Sequence, residues 1–348
     1  MSYALPILSC YFDVSDNSFA LLTDTNELLF RNFPYIYSSE VFSNQCNEET
    51  FNKSLIECVL KEFSLKTKKK LNNIEIISTG FLESPRIGLE SKLTSKLISL
   101  LQDTEDIFPF IINDFSVMTK DAFLSYEVCN KKEQGIEEGE SNELANLAIY
   151  PQLIPTDLPT KTVLDRYLSE KIGGLDLGYP QSGVLTFSGS RFSRPKDMYE
   201  YLDWILILDL IKKPGIYTIY IDRKNYIPLS LLLKRYKSDF IFEYKEHLEQ
   251  IGTLINSPGD TECLLISDLD TKQFFDIKKD SFYQIPVSSD SIVKAKIKNG
   301  TLGSFEKNIL GGRVGLMVDT RDKKYTISSQ PRYFNSCVRQ LSLCTPQY

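Results

Sequence analysis

The stretch from Gly183 to Pro228 constrains the fold most, because it reads without interruption as strand, loop, helix and strand. Val184, Leu185, Thr186 and Phe187 form a short apolar run of strand type, and Ser188, Gly189 and Ser190 end it with no side-chain bulk. From Met198 to Ile211 the apolar residues recur at helical spacing, with Asp197 placed to cap the start and Pro214-Gly215 to stop the chain. Ile216 to Ile221 is β-branched and aromatic, which predicts the next strand. Functional loops of open α/β sheets lie at the carboxyl ends of such strands, so Ser188 to Arg191 is the first candidate ligand loop. A Gly-Ser turn permits close approach by a ligand, and it equally serves as a tight turn. Neither GxxxxGK[ST] nor GxGxxG occurs in the chain.

Composition narrows the chemistry. With 348 residues the chain can bury a substantial core and form two or three domains. A formal net charge of -6 argues against nonspecific nucleic-acid binding, and the basic run Lys66 to Lys70 reads as a solvated helix end. No stretch reaches the roughly 20 apolar residues that cross a bilayer, and the N-terminus lacks the pattern of a signal peptide. A cytoplasmic location without a membrane span is therefore expected. The seven cysteines match no thiolate metal site and no CxxC pair. His247 is the single histidine and sits in a charged run, which removes most His-dependent catalysis. The 19 tyrosines and 21 phenylalanines suit cores and protein interfaces alike.

In chain order, Ile7–Val14, Ser18–Leu22 and Leu28–Phe30 predict a β-meander with turns at Ser15-Asp16-Asn17 and Asp24-Thr25-Asn26. Asp13 stands where the first strand meets its turn, where a carboxylate can hold a metal through water or accept backbone hydrogen bonds. A helix over Glu48–Lys61 leads to a strand at Ile74–Ile77 and a second small-residue loop, Ser78-Thr79-Gly80. Leu89–Leu101 reads as helix and Pro109–Ile112 as a strand that ends at Asn113-Asp114. Asp13 and Asp114 together could flank a magnesium-phosphate. Residues 130–143 are almost free of apolar side chains and predict an exposed linker. Leu229–Arg235 predicts a short helix. Beyond Ile251 short strands follow at about 8 to 12 residue spacing, the sign of a small barrel or sandwich. Among them Ile292–Gly300 alternates cleanly and Val314–Asp319 has the texture of an inner strand.

The series GVLTFSGSRFSRP, KPGIYTIYIDRKNYIPLSLLL and KNILGGRVGLMVDTRDK resembles the actin-like family named after the glutamate mutase accessory protein MutL, which is unrelated to mismatch repair. The matching positions are Gly183 to Pro195, Pro214-Gly215 through Asp222, and Gly311 to Asp322, with Gly311, Gly312, Val314, Gly315, Leu316, Asp319 and Arg321 carrying the last match. The resemblance implies an α/β, actin-like core of sugar kinase, Hsp70 and actin type, with two lobes around a nucleotide and a small all-β element near the C-terminus. It implies that Asp13 to Ser18 takes the place of a DxGxT-type loop for phosphate and magnesium, and that Ser188, Gly189 and Ser190 form the adenosine-side loop. Ser15 stands where that pattern has glycine, and each such replacement adds bulk where phosphate needs the backbone.

These readings give an N-terminal lobe over 1–129, a linker over 130–143, a second lobe over 144–250 and a β-rich element over 251–348. Two functions are expected from them. In the first, the chain is a degenerate actin-like scaffold that uses no cofactor and works through a protein partner or self-association. The alternative is a magnesium-dependent ATPase, with catalytic Asp13 and Asp114, Asp13 as metal ligand, and Ser15, Ser78, Gly80, Ser188, Gly189 and Ser190 binding ATP.

Overall fold

A computed structural model describes residues 5–13, 16–34, 48–68, 71, 73–81, 92–104, 107–112, 116–121, 123–125, 182–189, 192, 211, 213–237, 239–241, 243–267, 271–289 and 292–321 of the chain. Largely apolar runs, buried on both faces in the first two strands, build β1 (Ile7–Asp13), β2 (Asp16–Leu22) and β3 (Leu28–Pro34) as an antiparallel meander. Helix α1 (Glu48–Thr67) then returns the chain to β4 (Glu75–Phe81), which pairs parallel to β1. The sheet order is β3-β2-β1-β4. Leu8, Cys10, Phe12, Phe19 and Leu21 point to one face and pack on Leu55, Val59 and Phe63 of α1.

After α2 (Lys92–Gln102) the same pattern recurs. β5 (Ile107–Ile112), β6 (Ser116–Met118) and β7 (Phe123–Ser125) form a second meander, and β8 (Ser182–Ser188) pairs parallel to β5. β9 (Gly215–Ile221) follows parallel to β8. The order β7-β6-β5-β8-β9 therefore repeats β3-β2-β1-β4 with one strand more. Two α/β half-sheets of one topology, joined in sequence, make this an actin-like, sugar-kinase-type two-lobed fold. The change of sheet falls after α2; the expected linker at 130–143 and all but the last residue of the helix expected over Met198 to Ile211 lie outside the described residues, and Ile211 itself is buried and not helical.

Helix α3 (Tyr226–Tyr236) leaves the second half-sheet and packs on the first. Its residues from Tyr226 to Leu233 are all buried, because it meets apolar side chains on several sides. One core holds Ile7, Tyr11 and Leu22 of the first sheet, Ile107, Ile111 and Tyr220 of the second, and Leu97 to Leu101 of α2 around it.

A short α4 (Tyr244–His247) precedes the β-rich end. β10 (Glu249–Asn256), β13 (Phe282–Ile285) and β16 (Gly315–Asp319) extend the large sheet beyond β9. β11 (Thr261–Ile266), β12 (Lys272–Ile277), β14 (Ile292–Asn299) and β15 (Gly303–Leu310) form a third sheet, whose Cys263, Leu265, Ala295 and Ile297 pack on Ile255, Leu316 and Val318. The strict alternation of β14 and the full burial of β16 agree with their sequence patterns.

The glycines of the C-terminal motif hold this layer together. A Cβ on Gly252 would overlap the Gly315 carbonyl oxygen, one on Gly311 the Ser288 carbonyl oxygen, and one on Gly315 the Ile285 carbonyl oxygen. Gly312 and Gly315 also take φ of 64° and 91°. The glycine pair thus works as a backbone joint. Arg321 folds back onto the buried Asp319 with two guanidinium hydrogen bonds of 2.8 Å. Among the described residues no helix is long and apolar enough to cross a membrane.

Candidate ligand site where the two half-sheets meet

The carboxyl end of β8 carries Ser188 and Gly189, and Gly189 needs its missing Cβ because its φ is 104°. The next strand ends at Ile221, and its last backbone group locks to β8 through the Asp222 N–H donating to the Phe187 carbonyl at 2.8 Å. Asp222 is fully buried. Its Oδ1 accepts from the N–H groups of Lys224 (3.1 Å) and Tyr226 (2.8 Å), and its Oδ2 from the N–H of Ile227 (2.7 Å). The carboxylate thereby caps α3, meeting donors that the first turn of a helix leaves unpaired. The Ser188 hydroxyl points at Asp222 Oδ2 at 3.0 Å. Burial pushes the Asp222 carboxyl above the ordinary carboxylate range, against the opposing pull of these donors.

Asn225 occupies the N-cap position of α3, yet its side chain makes no capping hydrogen bond. With φ 52° it lies in the left-handed region and turns its carboxamide across to other elements. Its Oδ1 accepts from the Gly189 N–H at 3.1 Å and stands 3.2 Å from Ser188 Oγ, while Nδ2 donates to Ser18 Oγ of β2 at 2.9 Å. Ser18, Ser188 and Asn225 are each fully buried. A second link between the halves is the Ser9 hydroxyl of β1, which donates to the Leu229 carbonyl of α3 at 3.1 Å. Beside the junction, Glu249 holds both Arg223 and Arg313, fixing the entry to β10.

The structure brings together two of the loops expected from sequence. Asp13 ends β1, and Tyr11, two residues earlier, is the register partner of Ser18. The first hairpin and the Ser188-Gly189 turn therefore meet through one side chain. β4 also ends at this edge, since Gly80 pairs with Phe12. Ser78 does not join the cluster: its strand neighbour Ile77 faces the shared core, so Ser78 alternates to the opposite face, and its carbonyl accepts from Lys96 Nζ at 2.8 Å. Ser15, Asp114 and Ser190 lie outside the described residues, although β5 runs in register with β8 up to Ile111 and Ser188. Among the described residues no group of three or more His, Cys, Asp and Glu could hold a metal ion.

Ser18 lies at the end of the Asp13 to Ser18 loop that the resemblance implied, whereas Asp222 and Asn225 were not expected as site residues. The strand-final aspartate was visible in the motif through Asp222, but Asn225 has the look of an ordinary helix cap.

No family model matches the chain, and no curated protein matches it. Among solved structures, similarity extends to the Lmo2764 protein from Listeria monocytogenes at 12% identity, covering 67% of this chain and 100% of that one with a TM-score of 0.30. A ROK family protein from Streptococcus pneumoniae TIGR4, solved in complex with sucrose, is similar at 11% identity, 67% and 100% coverage and a TM-score of 0.32. The ethanolamine utilization protein EutJ from Carboxydothermus hydrogenoformans is similar at 8% identity, 66% and 88% coverage and a TM-score of 0.30. Such values add no weight to any function, and the fold stands on the strand orders given above.

Proposed function

We propose that this chain binds a nucleotide where the first hairpin meets the Ser188-Gly189 turn. One observation carries the reading: a single carboxamide, that of Asn225, touches both loops, so residues far apart in sequence line one edge at the carboxyl ends of parallel strands. Gly189 leaves room for close approach, and its N–H is a donor suited to a ring nitrogen or a phosphate oxygen. Asp13 and Asp114 are the proposed carboxylates for magnesium, with Ser15, Gly80 and Ser190 on the adjoining loops; Ser78 fits less well because it faces away. ATP with magnesium, when bound, would supply the phosphoryl group and the charge that these residues position. The finer likeness to the MutL-named family and a cytoplasmic location, which suits the free Cys10, Cys58 and Cys263, belong to the same proposal.

A second reading is favoured by the pairing of the site with itself. The Gly189 N–H and the Ser188 hydroxyl already have partners in Asn225 and Asp222, as expected of a scaffold that has kept the fold and works through a protein partner or its own copies. Isothermal titration with ATP and ADP in the presence of magnesium separates the two. Micromolar binding that Asp13→Ala weakens at least tenfold supports the nucleotide reading. Silence across the millimolar range leaves the scaffold.

A further inference from the structure

We propose that the Asn225 carboxamide is an internal occupant of the nucleotide position, an autoinhibitory plug that a ligand must displace; the inference rests on the nucleotide reading above. Asparagine is favoured at helix N-caps because its side-chain oxygen accepts from the first-turn N–H groups. Here Asp222 performs that task with both oxygens, and Asn225 is released from it. Glycine would satisfy the left-handed backbone at position 225 with less strain. The carboxamide is therefore explained by what it reaches, not by the turn it stands in.

What it reaches is a ligand-like set. The Gly189 N–H meets Oδ1, the Ser188 hydroxyl lies beside the same oxygen, and the Ser18 hydroxyl accepts from Nδ2. A flat amide with an acceptor on one side and a donor on the other presents the pattern found on the edge of an adenine ring. It is held without solvent exposure, between elements 36 and 207 residues away in the chain. A nucleotide entering from the strand ends has to take over the Gly189 N–H, and so competes directly with Asn225 Oδ1.

The test compares MgATP binding by titration calorimetry for the full chain and for Asn225→Gly, which removes the amide and keeps the left-handed backbone accessible. Circular dichroism and thermal melting confirm that the variant is folded. Ser18→Ala, which loosens the plug at its far end and leaves the turn after β9 intact, serves as the second variant. The plug predicts at least a tenfold gain in affinity for Asn225→Gly and a gain of about threefold for Ser18→Ala. Equal or weaker binding by Asn225→Gly, with wild-type binding intact, overturns the plug and leaves the nucleotide reading standing. Silence from all three proteins overturns both.

Discussion

At the scale of single residues, Asp222 is the group on which the junction turns. It is a buried carboxylate that neutralises the start of α3 and receives the Ser188 hydroxyl. Because its folded pKa is raised, the proton is bound more tightly in the native protein than in the unfolded chain. The stability this contributes is complete below the ordinary carboxylate pKa of 3.8 and is lost as pH rises through the raised value. Thermal melts of the wild type and Asp222→Asn from acid to neutral pH should show the wild type's lead shrinking as pH increases. A lead that stays flat or widens contradicts the direction of the shift. The sequence singled out the loops after Asp13 and Ser188, which the fold brings to one edge, since small or acidic residues at strand ends are a local signal. It could not point to Asn225, whose partner Ser18 lies 207 residues away and becomes a neighbour only when the two half-sheets dock.

Among the elements, α3 differs most from its sequence reading. A helix over Leu229–Arg235 was expected after the proline; the helix begins at Tyr226 and includes Pro228. In the first turn the proline lacks only an N–H that has no helical acceptor, so it costs little there. The strands were more legible, because the apolar runs of β1 and β2 and the alternation of β14 are written residue by residue. What such patterns do not record is partnership, and so the capture of α3 by the first half-sheet was not foreseen. Leu232 is fully buried in the core that both sheets share. Leu232→Ala should cost about 2 to 5 kcal/mol in denaturant unfolding. Tyr236→Ala, at the half-exposed end of the same helix, should cost less than about 1 kcal/mol. Similar losses at the two positions would mean that α3 is not the packed centre described.

For the whole molecule, the repeated strand order explains why the fold was readable where its chemistry was not. Topology is carried by many short apolar patterns, each tolerant of substitution, whereas a phosphate loop depends on a few small residues. The glycine joint at the C-terminal layer is as demanding as such a loop, and it serves architecture. Gly252→Ala places a methyl against the Gly315 carbonyl oxygen and should cost about 3 kcal/mol or more, seen as a clear fall in melting temperature. Gly300→Ala meets nothing within 4 Å and should leave stability within about 0.5 kcal/mol. Equal behaviour of the two would remove the joint from the account.

The borrowing of α3 also sets an order of assembly during translation. The first half-sheet leaves the ribosome with the face of Ile7, Ser9 and Tyr11 only partly covered by α2, and the helix that completes its cover is encoded only after every described strand of the second half-sheet. The nascent N-terminal half must wait with that face partly exposed, and chaperones that shield apolar surface have their natural window of action there.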